Sequence, residues 1–571
     1  MKDGMIVGID LGTTNSLVGY WRDGAAQLVP NALGSVLTPS CVSLDDDGSI
    51  LVGAAALDRL RTHPNRTAAV FKRTMGSTRH TRLGKRDFLP EELSSFVLRA
   101  LKDDAVAHLG VPVTGAIITV PAYFSDPQRK ATRRAAQLAG LGTVRLLNEP
   151  TAAAMAYGLQ SEAEGTFLIF DLGGGTFDVS VLELFDGVME VRASAGDNFL
   201  GGEDFRQILT DAFLRDAKVP EKALANPAIA RRIDANVERA KRALSSEPTA
   251  EIALDWDDTH YAASFTTEQF ETLSEPLLER LRRPIRIALG DARIAREALD
   301  AVVLAGGATR MPMVRREATK LFGRFPVVDI DPDEVIARGA AVQAGLLMRD
   351  AALSDRVMTD VAPYSLGTDI RRRLDDGQFV EGWFDPIIPR NTIVPASREK
   401  SYIPTSPTSK AMIIDVYQGE ARMVRDNIAL GRLTVPLPSG NEAERAVDVR
   451  FTYDVDGLLE IEARRTGSSE VHRLVLQELE SDMSEAEIAT RLKALSAIKL
   501  HPRETIENRT LLARGERMVE EAQGDAREAI AMAVSQFEAV LERQDPAQVG
   551  AARDQLRGQL DWYEGRVFAD D

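Results

Sequence analysis

The chain has 571 residues, too many for one hydrophobic core, and its 44% apolar and 27% charged content is ordinary for a water-facing protein of two to four domains. A net charge of −17 opposes general nucleic-acid binding, which needs a basic footprint, and no apolar run reaches membrane-spanning length. The single cysteine, Cys41, excludes an intrachain disulfide and reads as a small buried hydrophobe, and the six histidines are scattered without zinc-ligand spacing. Met1–Gly4 leads directly into a strand with no basic n-region or apolar h-region, so no signal peptide is read and the expected compartment is the cytoplasm.

The first predicted element is the apolar strand of MIVGIDLGTTNS (Met5–Ser16). It ends at Asp10, turns through Gly12, Thr13, Thr14 and Asn15, and leaves as a second strand. The same phrase returns in FLIFDLGGGTFDVS (Phe167–Ser180), around Asp171, Gly173, Gly174, Gly175 and Thr176. A strand ending in a carboxylate, followed by glycines and threonines, can set backbone N–H groups and hydroxyls around phosphate and a magnesium-bound water. Two copies predict two related halves facing one nucleotide, with Asp10 and Asp171 holding Mg²⁺ through water. No G-x-x-x-x-G-K-[ST] occurs, which excludes a P-loop site.

Strands at Gly115–Val120, Thr166–Phe170 and Ala301–Leu304, with helices at Pro127–Leu138, Ile229–Leu244 and Glu334–Met348, predict an α/β domain over residues 1–350. The helix from Pro127 has proline in its first turn and Gly140 just past its end. A third glycine turn, Leu304–Arg310, is weak alone; after two phosphate turns it reads as one wall of an adenosine pocket. Residues 351–361 read as a linker. Residues 362–480, rich in Pro, Thr, Val and Ile, predict an all-β domain with a hairpin from Val447–Tyr453 and Leu458–Ala463. Residues 481–571 read as helices, with a capping box at Ser484 and Glu487 and breaks at Pro502 and Asp545-Pro546. They are too polar for a large core of their own and are expected to pack on the β domain or on themselves.

Other phrases follow in order: ITVPAYFSDPQRKAT (118–132), LLNEPTAAAMAYG (146–158), GDNFLGGEDF (196–205), VERAKRALSS (237–246), AGGATRMP (305–312), RGAAVQAG (338–345), DVAPYSLG (360–367), PRNTIVP (389–395), VYQGE (416–420) and DVDGLLEIEA (454–463). Together with the two Asp-Leu-Gly turns they resemble the seventy-kilodalton heat-shock chaperones, the DnaK-like family, and the short tail is similar to the bacterial HscC-type branch. The resemblance implies a duplicated actin-like (ribonuclease H-like) ATPase domain, a β-sandwich peptide-binding domain and a shortened helical lid. It implies ATP/ADP and Mg²⁺ as cofactors, with K⁺ compatible, and unfolded polypeptides, a J-domain co-chaperone and an exchange factor as partners.

The resemblance also assigns roles. Lys72 matches the lysine beside the γ-phosphate and the attacking water, Glu149 the acid that senses the metal–water cluster, with Asp178 near it. Gly201 and Gly202 belong to the nucleotide contacts. Glu238, Lys241, Arg242 and Ser245 match one side of the adenosine, and Gly306, Gly307 and Arg310 the other. Pro121 and Arg129 match a switch that relays nucleotide state, and Arg145, Asn148 and Asp360 the positions that engage the co-chaperone. Tyr402, Thr405 and Met412 match the peptide pocket and arch. Taken alone, Glu238, Lys241 and Arg242 read as a solvated ion-paired face, Pro121 as a strand terminator, Arg145 and Asn148 as surface polar residues, and Tyr402 and Met412 as core.

The linker DRVMTD (Asp355–Asp360) lacks the family's leucine run, which predicts looser coupling. The loop Arg371–Gly382 is expanded, and Tyr402 replaces the commoner phenylalanine. The implied function is nucleotide-controlled binding of extended apolar segments. A sugar or acetate kinase on the same fold should lack the linker and β domain. A nucleotide-gated module dedicated to one client, such as a regulatory protein, stays open as the alternative, and a peptide array separates it from the first.

Overall fold

The two Asp-terminated strands each turn back through an antiparallel meander and gain a parallel strand on the other edge. In the first, Met5–Asp10 turns back antiparallel through Asn15–Arg22 and Ala25–Leu28, while Val113–Val120 and then Thr143–Asn148 join its other edge in parallel. In the second, Gly165–Leu172 turns back through Phe177–Phe185 and Val188–Asp197, and Ala301–Ala305 joins its other edge in parallel. This is a computed structural model, and it describes residues 4–160, 164–185, 188–327, 330–350, 353, 357–373, 378–404, 406, 408–439, 445–454, 457–468, 470–476, 506–522 and 524–567. The chain divides into one unit of Met1–Ser365 with Pro389–Val394 and another of Leu366–Ile388 with Pro395–Asp571.

Helices Glu149–Gln160 and Val335–Leu347 join the halves of the first unit. Both are rich in alanine, and their backbones nearly touch: a Cβ on Gly339 would stand 1.7 Å from the Ala152 carbonyl oxygen. Glycine alone permits this approach. Ala152, Ala340 and Ala344 lie in one buried cluster with Trp21 and Ile117 of the first sheet and Ile169 and Val303 of the second. Separate cores fill each half, built on Ile9 and Ile118 in one and Phe170 and Phe177 in the other. Helix Asp126–Leu138 starts and stops where its sequence signals lie, with Gly140 at φ +69. Cys41 is buried, which pushes its thiol up to about 12.

The segment read as a linker contains a strand. Val357–Val361 pairs in parallel with Val188–Asp197 and antiparallel with Ile393–Val394. The β-branched Val357, Thr359 and Val361 suit a strand, and Val188–Asp197 offers an edge to extend.

The second unit holds two antiparallel sheets. One runs Phe379–Ile388, Leu366–Arg373, Ala411–Gln418, Ile428–Pro436; the other Ala396–Tyr402, Val447–Tyr453, Leu459–Arg465, Val471–Leu476. Val447, Val449 and Phe451 alternate inward, as the hairpin reading requires. Helices Ile506–Glu521, Gly524–Arg543 and Pro546–Val567 pack on themselves through Leu511, Phe537, Leu541 and Leu560. The break at Asp545-Pro546 falls as read, and Gln544 just before it hydrogen-bonds both backbone groups of Glu399 on the β sheet (3.1 and 2.8 Å). Ser484, Glu487 and Pro502 lie outside the described residues.

Candidate nucleotide site

The two glycine turns face one another across a cleft of about 400 Å³ in the first unit. A Cβ on Gly174 would meet Thr14 Oγ1 at 2.1 Å, and one on Gly175 would meet Thr13 Cγ2 at 3.1 Å, so the turns approach backbone to side chain. Gly12, Thr13, Thr14, Asn15, Gly173, Gly174 and Thr176 line the cleft. Gly175 and Gly201 lie behind this lining: a Cβ on Gly201 would stand 2.5 Å from the Gly175 nitrogen. Gly202 reaches the cleft and donates its N–H to the Gly173 carbonyl (2.9 Å), opening helix Gly202–Asp216 there.

Asp10, Glu149 and Asp171 line the cleft, and Asp178, paired across the hairpin from Asp171, lies behind it. All four are buried, and so is Lys72, whose Nζ donates to Glu149 Oε1 at 2.8 Å. Thr119 Oγ1 donates to Asp10 Oδ1 (2.8 Å). Burial first, then the charge of Glu149, pushes Asp10 up to about 7 and Asp178 up to about 8, and raises Asp171 well above the carboxylate range. Asp171 Oδ2 is buried with no hydrogen-bond partner among the described residues. Four carboxylates beside one ammonium, one of them with an orphan oxygen, fit a divalent cation. Among the described residues no three His, Cys, Asp or Glu side chains form a metal-binding group.

The far end of the cleft is lined by Glu238, Lys241, Arg242, Ser245, Gly306, Gly307 and Arg310. The ion-paired reading of the helix is half right. Glu238 pairs with Lys241 (2.7 Å) and Arg242 (2.8 Å), but the face they make is a cleft wall. Gly306 sits at φ +79, where a Cβ would reach Asp171 Oδ1 at 2.7 Å. Arg310 is held by Asp331 and Asp333. Sequence reasoning missed Asp333, Leu37 and Ile336 in the lining, and Ser40, whose hydroxyl donates to the Gly12 carbonyl (2.8 Å). Their loops and helix reach the site through tertiary folding and carry no local signal.

Behind the carboxylates, Pro121 opens a tight turn (Phe124 N–H to Pro121 carbonyl, 3.1 Å). Arg129 is buried and donates to the carbonyls of Phe124 (3.1 Å) and Ala122 (3.3 Å) and to Asn148 Oδ1 (2.6 Å). Asn148 donates in turn to Asp360 Oδ2 (2.9 Å), in the added strand. At 8% exposed, Asn148 is not the surface residue its type suggests; Arg145, earlier on the same strand, is half-buried. A second tie was not foreseen: the Tyr364 hydroxyl donates to the Tyr123 carbonyl (2.6 Å), with ring centroids 4.7 Å apart.

The chain matches the protein family described as Hsp70 protein over residues 6–82 and 78–567. It is 40% identical over 490 residues to the chaperone protein DnaK of Thermotoga neapolitana, covering 83% of this chain and 80% of that protein. It is 38% identical over 594 residues to the chaperone protein dnaK3 of Thermosynechococcus vestitus, covering 96% of this chain and 86% of that protein. The chain belongs to the Hsp70 family.

The Hsp70 positions expected to take peptide lie in the second unit and do not share a sheet. Tyr402 ends Ala396–Tyr402, half-buried, with its hydroxyl donating to Asp385 Oδ2 (2.7 Å); Met412, also half-buried, lies on Ala411–Gln418. Thr405 lies outside the described residues. The buried Arg445 donates to the Ser406 and Ser409 carbonyls and fastens the segment after it. The ladder between Leu366–Arg373 and Ala411–Gln418 covers only Leu366 with Gln418 and Gly367 with Tyr417. Past it the two strands run on without pairing, and Ile413 is 55% exposed.

Proposed function

We propose that this Hsp70 is an ATP-dependent chaperone in which nucleotide state controls capture and release of extended apolar polypeptide segments. The observation that carries it is the meeting of two Asp-Leu-Gly turns over four buried carboxylates and one lysine. Residues 1–350 act as the actin-like ATPase domain, 351–361 as the linker, 362–480 as the β-sandwich that holds peptide and 481–571 as a short lid.

Asp10 and Asp171 would hold magnesium through its water shell, and the ion would supply charge neutralisation at the phosphates. Backbone N–H groups and hydroxyls of Gly12–Asn15 and Gly173–Thr176 grip the phosphate oxygens. Lys72, steadied by Glu149, sets positive charge beside the γ-phosphate, and Glu149 and Asp178 orient the attacking water. The water oxygen bonds to the γ-phosphorus as the bond to the β,γ-bridging oxygen breaks; the electron pair of that bond leaves on ADP and the water's proton passes to the phosphate, giving ADP and phosphate. Gly201 and Gly202 support the second turn, and Glu238, Lys241, Arg242 and Ser245 face Gly306, Gly307 and Arg310 across the adenosine. Pro121, Arg129, Asn148 and Asp360 relay the nucleotide state to the linker, where, with Arg145, a J-domain co-chaperone engages. Peptide lies along the unpaired strands near Met412, with Tyr402 and Thr405 at its pocket and arch, and adds backbone hydrogen bonds to them.

Turnover by the full chain, with and without an apolar heptapeptide, tests this reading. Peptide is expected to stimulate hydrolysis and to leave faster with ATP than with ADP. Failure to retain labelled ATP, or equal release with both nucleotides, overturns it.

A further inference from the structure

The hairpin of Leu366–Arg373 and Phe379–Ile388 carries an arginine–aromatic cluster that the chaperone reading leaves unused. Arg372 and Arg422 both stack on Trp383, 4.3 and 5.2 Å from its ring centroid, and Arg371 stacks on Phe379 at 4.2 Å. The three arginines and Phe379 are exposed. Stacking occupies the flat face of a guanidinium and leaves its edge N–H groups directed outward, the geometry that takes a carboxylate through two parallel hydrogen bonds.

Those edges are not spent on described residues. Among the described residues Arg372 and Arg422 have no carboxylate partner, and Arg371 has Glu381 at 3.9 Å, the outer limit of a pair. Other cations of the same unit hold acids closely: Lys400 with Asp385 at 2.9 Å, Arg450 with Glu399 at 2.7 Å and Arg432 with Asp415 at 2.5 Å. In a chain of net charge −17, a cationic surface with no close carboxylate among the described residues is a local exception.

We infer that this cluster reads acidic side chains flanking the apolar core of a client segment. The inference rests on the peptide-binding reading of the opening beside Ala411–Gln418. Arg372 stands on the strand that borders that opening, and Trp383 stands on the next strand, about 5 Å behind it. An extended segment presents alternate side chains to opposite sides, so apolar residues enter the opening while a neighbouring Asp or Glu meets the guanidinium edges.

The test uses the full chain with ADP and three fluorescent heptapeptides sharing one Leu/Ile core, flanked by Asp/Glu, by Ser or by Lys/Arg. The acidic peptide is expected to bind about five-fold more tightly than the serine peptide and the basic one more weakly, as for a few exposed charge pairs, with the spread narrowing at high salt. The double variant Arg372→Gln, Arg422→Gln is expected to erase the spread while binding the serine peptide as before, which also shows that it is folded. Equal affinities, a basic preference, or a spread that survives the double variant overturns the inference and leaves the peptide-binding reading standing. Silence with all three peptides overturns that reading and the inference with it.

Discussion

Lys72 shows how one side chain holds a costly arrangement together. Its ammonium lies 2.8 Å from Glu149, both nearly inaccessible, beside Asp10, Asp171 and Asp178. In the proposed mechanism, replacing Lys72 with alanine removes the positive charge beside the γ-phosphate while leaving the glycine turns proposed to grip the nucleotide. Single-turnover hydrolysis is expected to fall at least about 100-fold, with ATP affinity changed by a few-fold at most. Unchanged single-turnover hydrolysis removes Lys72 from the chemistry. Tyr364 poses a smaller question: phenylalanine keeps the stack on Tyr123 and deletes the hydrogen bond to its carbonyl. The loss is about 1 kcal/mol, so amide exchange in Val357–Val361 should quicken about five-fold. Equal exchange would show that the hydroxyl contributes nothing to holding the linker.

At the scale of elements, the added strand turns the linker into a titratable contact. The Asp360 carboxyl is raised above its ordinary value because burial outweighs the bond from Val361, the charge of Arg129 and the bonds from Asn148 and Thr151. An acid whose pKa rises on docking binds its proton more tightly docked than free. Docking is therefore favoured at low pH and loses that share as pH rises from the ordinary aspartate value through the raised one. Exchange protection of Val357–Val361 should decline across that window, and Asp360→Asn should flatten the decline; a decline that persists in Asp360→Asn assigns it to another group. This strand was not legible in the sequence. A strand of five residues, one of them Asp360, gives little periodicity, and the partner strand, Val188–Asp197, lies more than 150 positions away. The phosphate turns were legible because each packs its whole signal, apolar strand, aspartate and glycines, into one local phrase. Arg310 was read from its glycine turn, whereas Asp333, which orients it, sits on a different loop. Tyr402 and Met412 were placed by resemblance of position along the chain, which cannot show that they end up on separate sheets.

At the scale of the whole molecule, the division of the chain is not a single cut. Pro389–Val394 belongs with the first unit although both its flanks belong to the second. Within the first unit Arg390 and Asn391 bind Asp291, at 3.0 and 2.8 Å, and Ile393–Val394 covers the outer edge of the linker strand. A chain ending after Ser365 keeps the linker but loses this covering strand. Its linker amides are expected to exchange at least about ten-fold faster than in the full chain, since an edge strand secured on one side opens more easily. Equal protection would show that the parallel pairing suffices alone.

The crossing of Gly339 over Ala152 limits how the cleft can give up its contents. At that crossing no side chain separates the two backbones, so the helices that join the halves have nothing to compress there. The walls can swing about that crossing as doors on a fixed pin, whereas the pin itself cannot lengthen. On the proposed ATP cycle, release of spent nucleotide proceeds by rotation about that crossing.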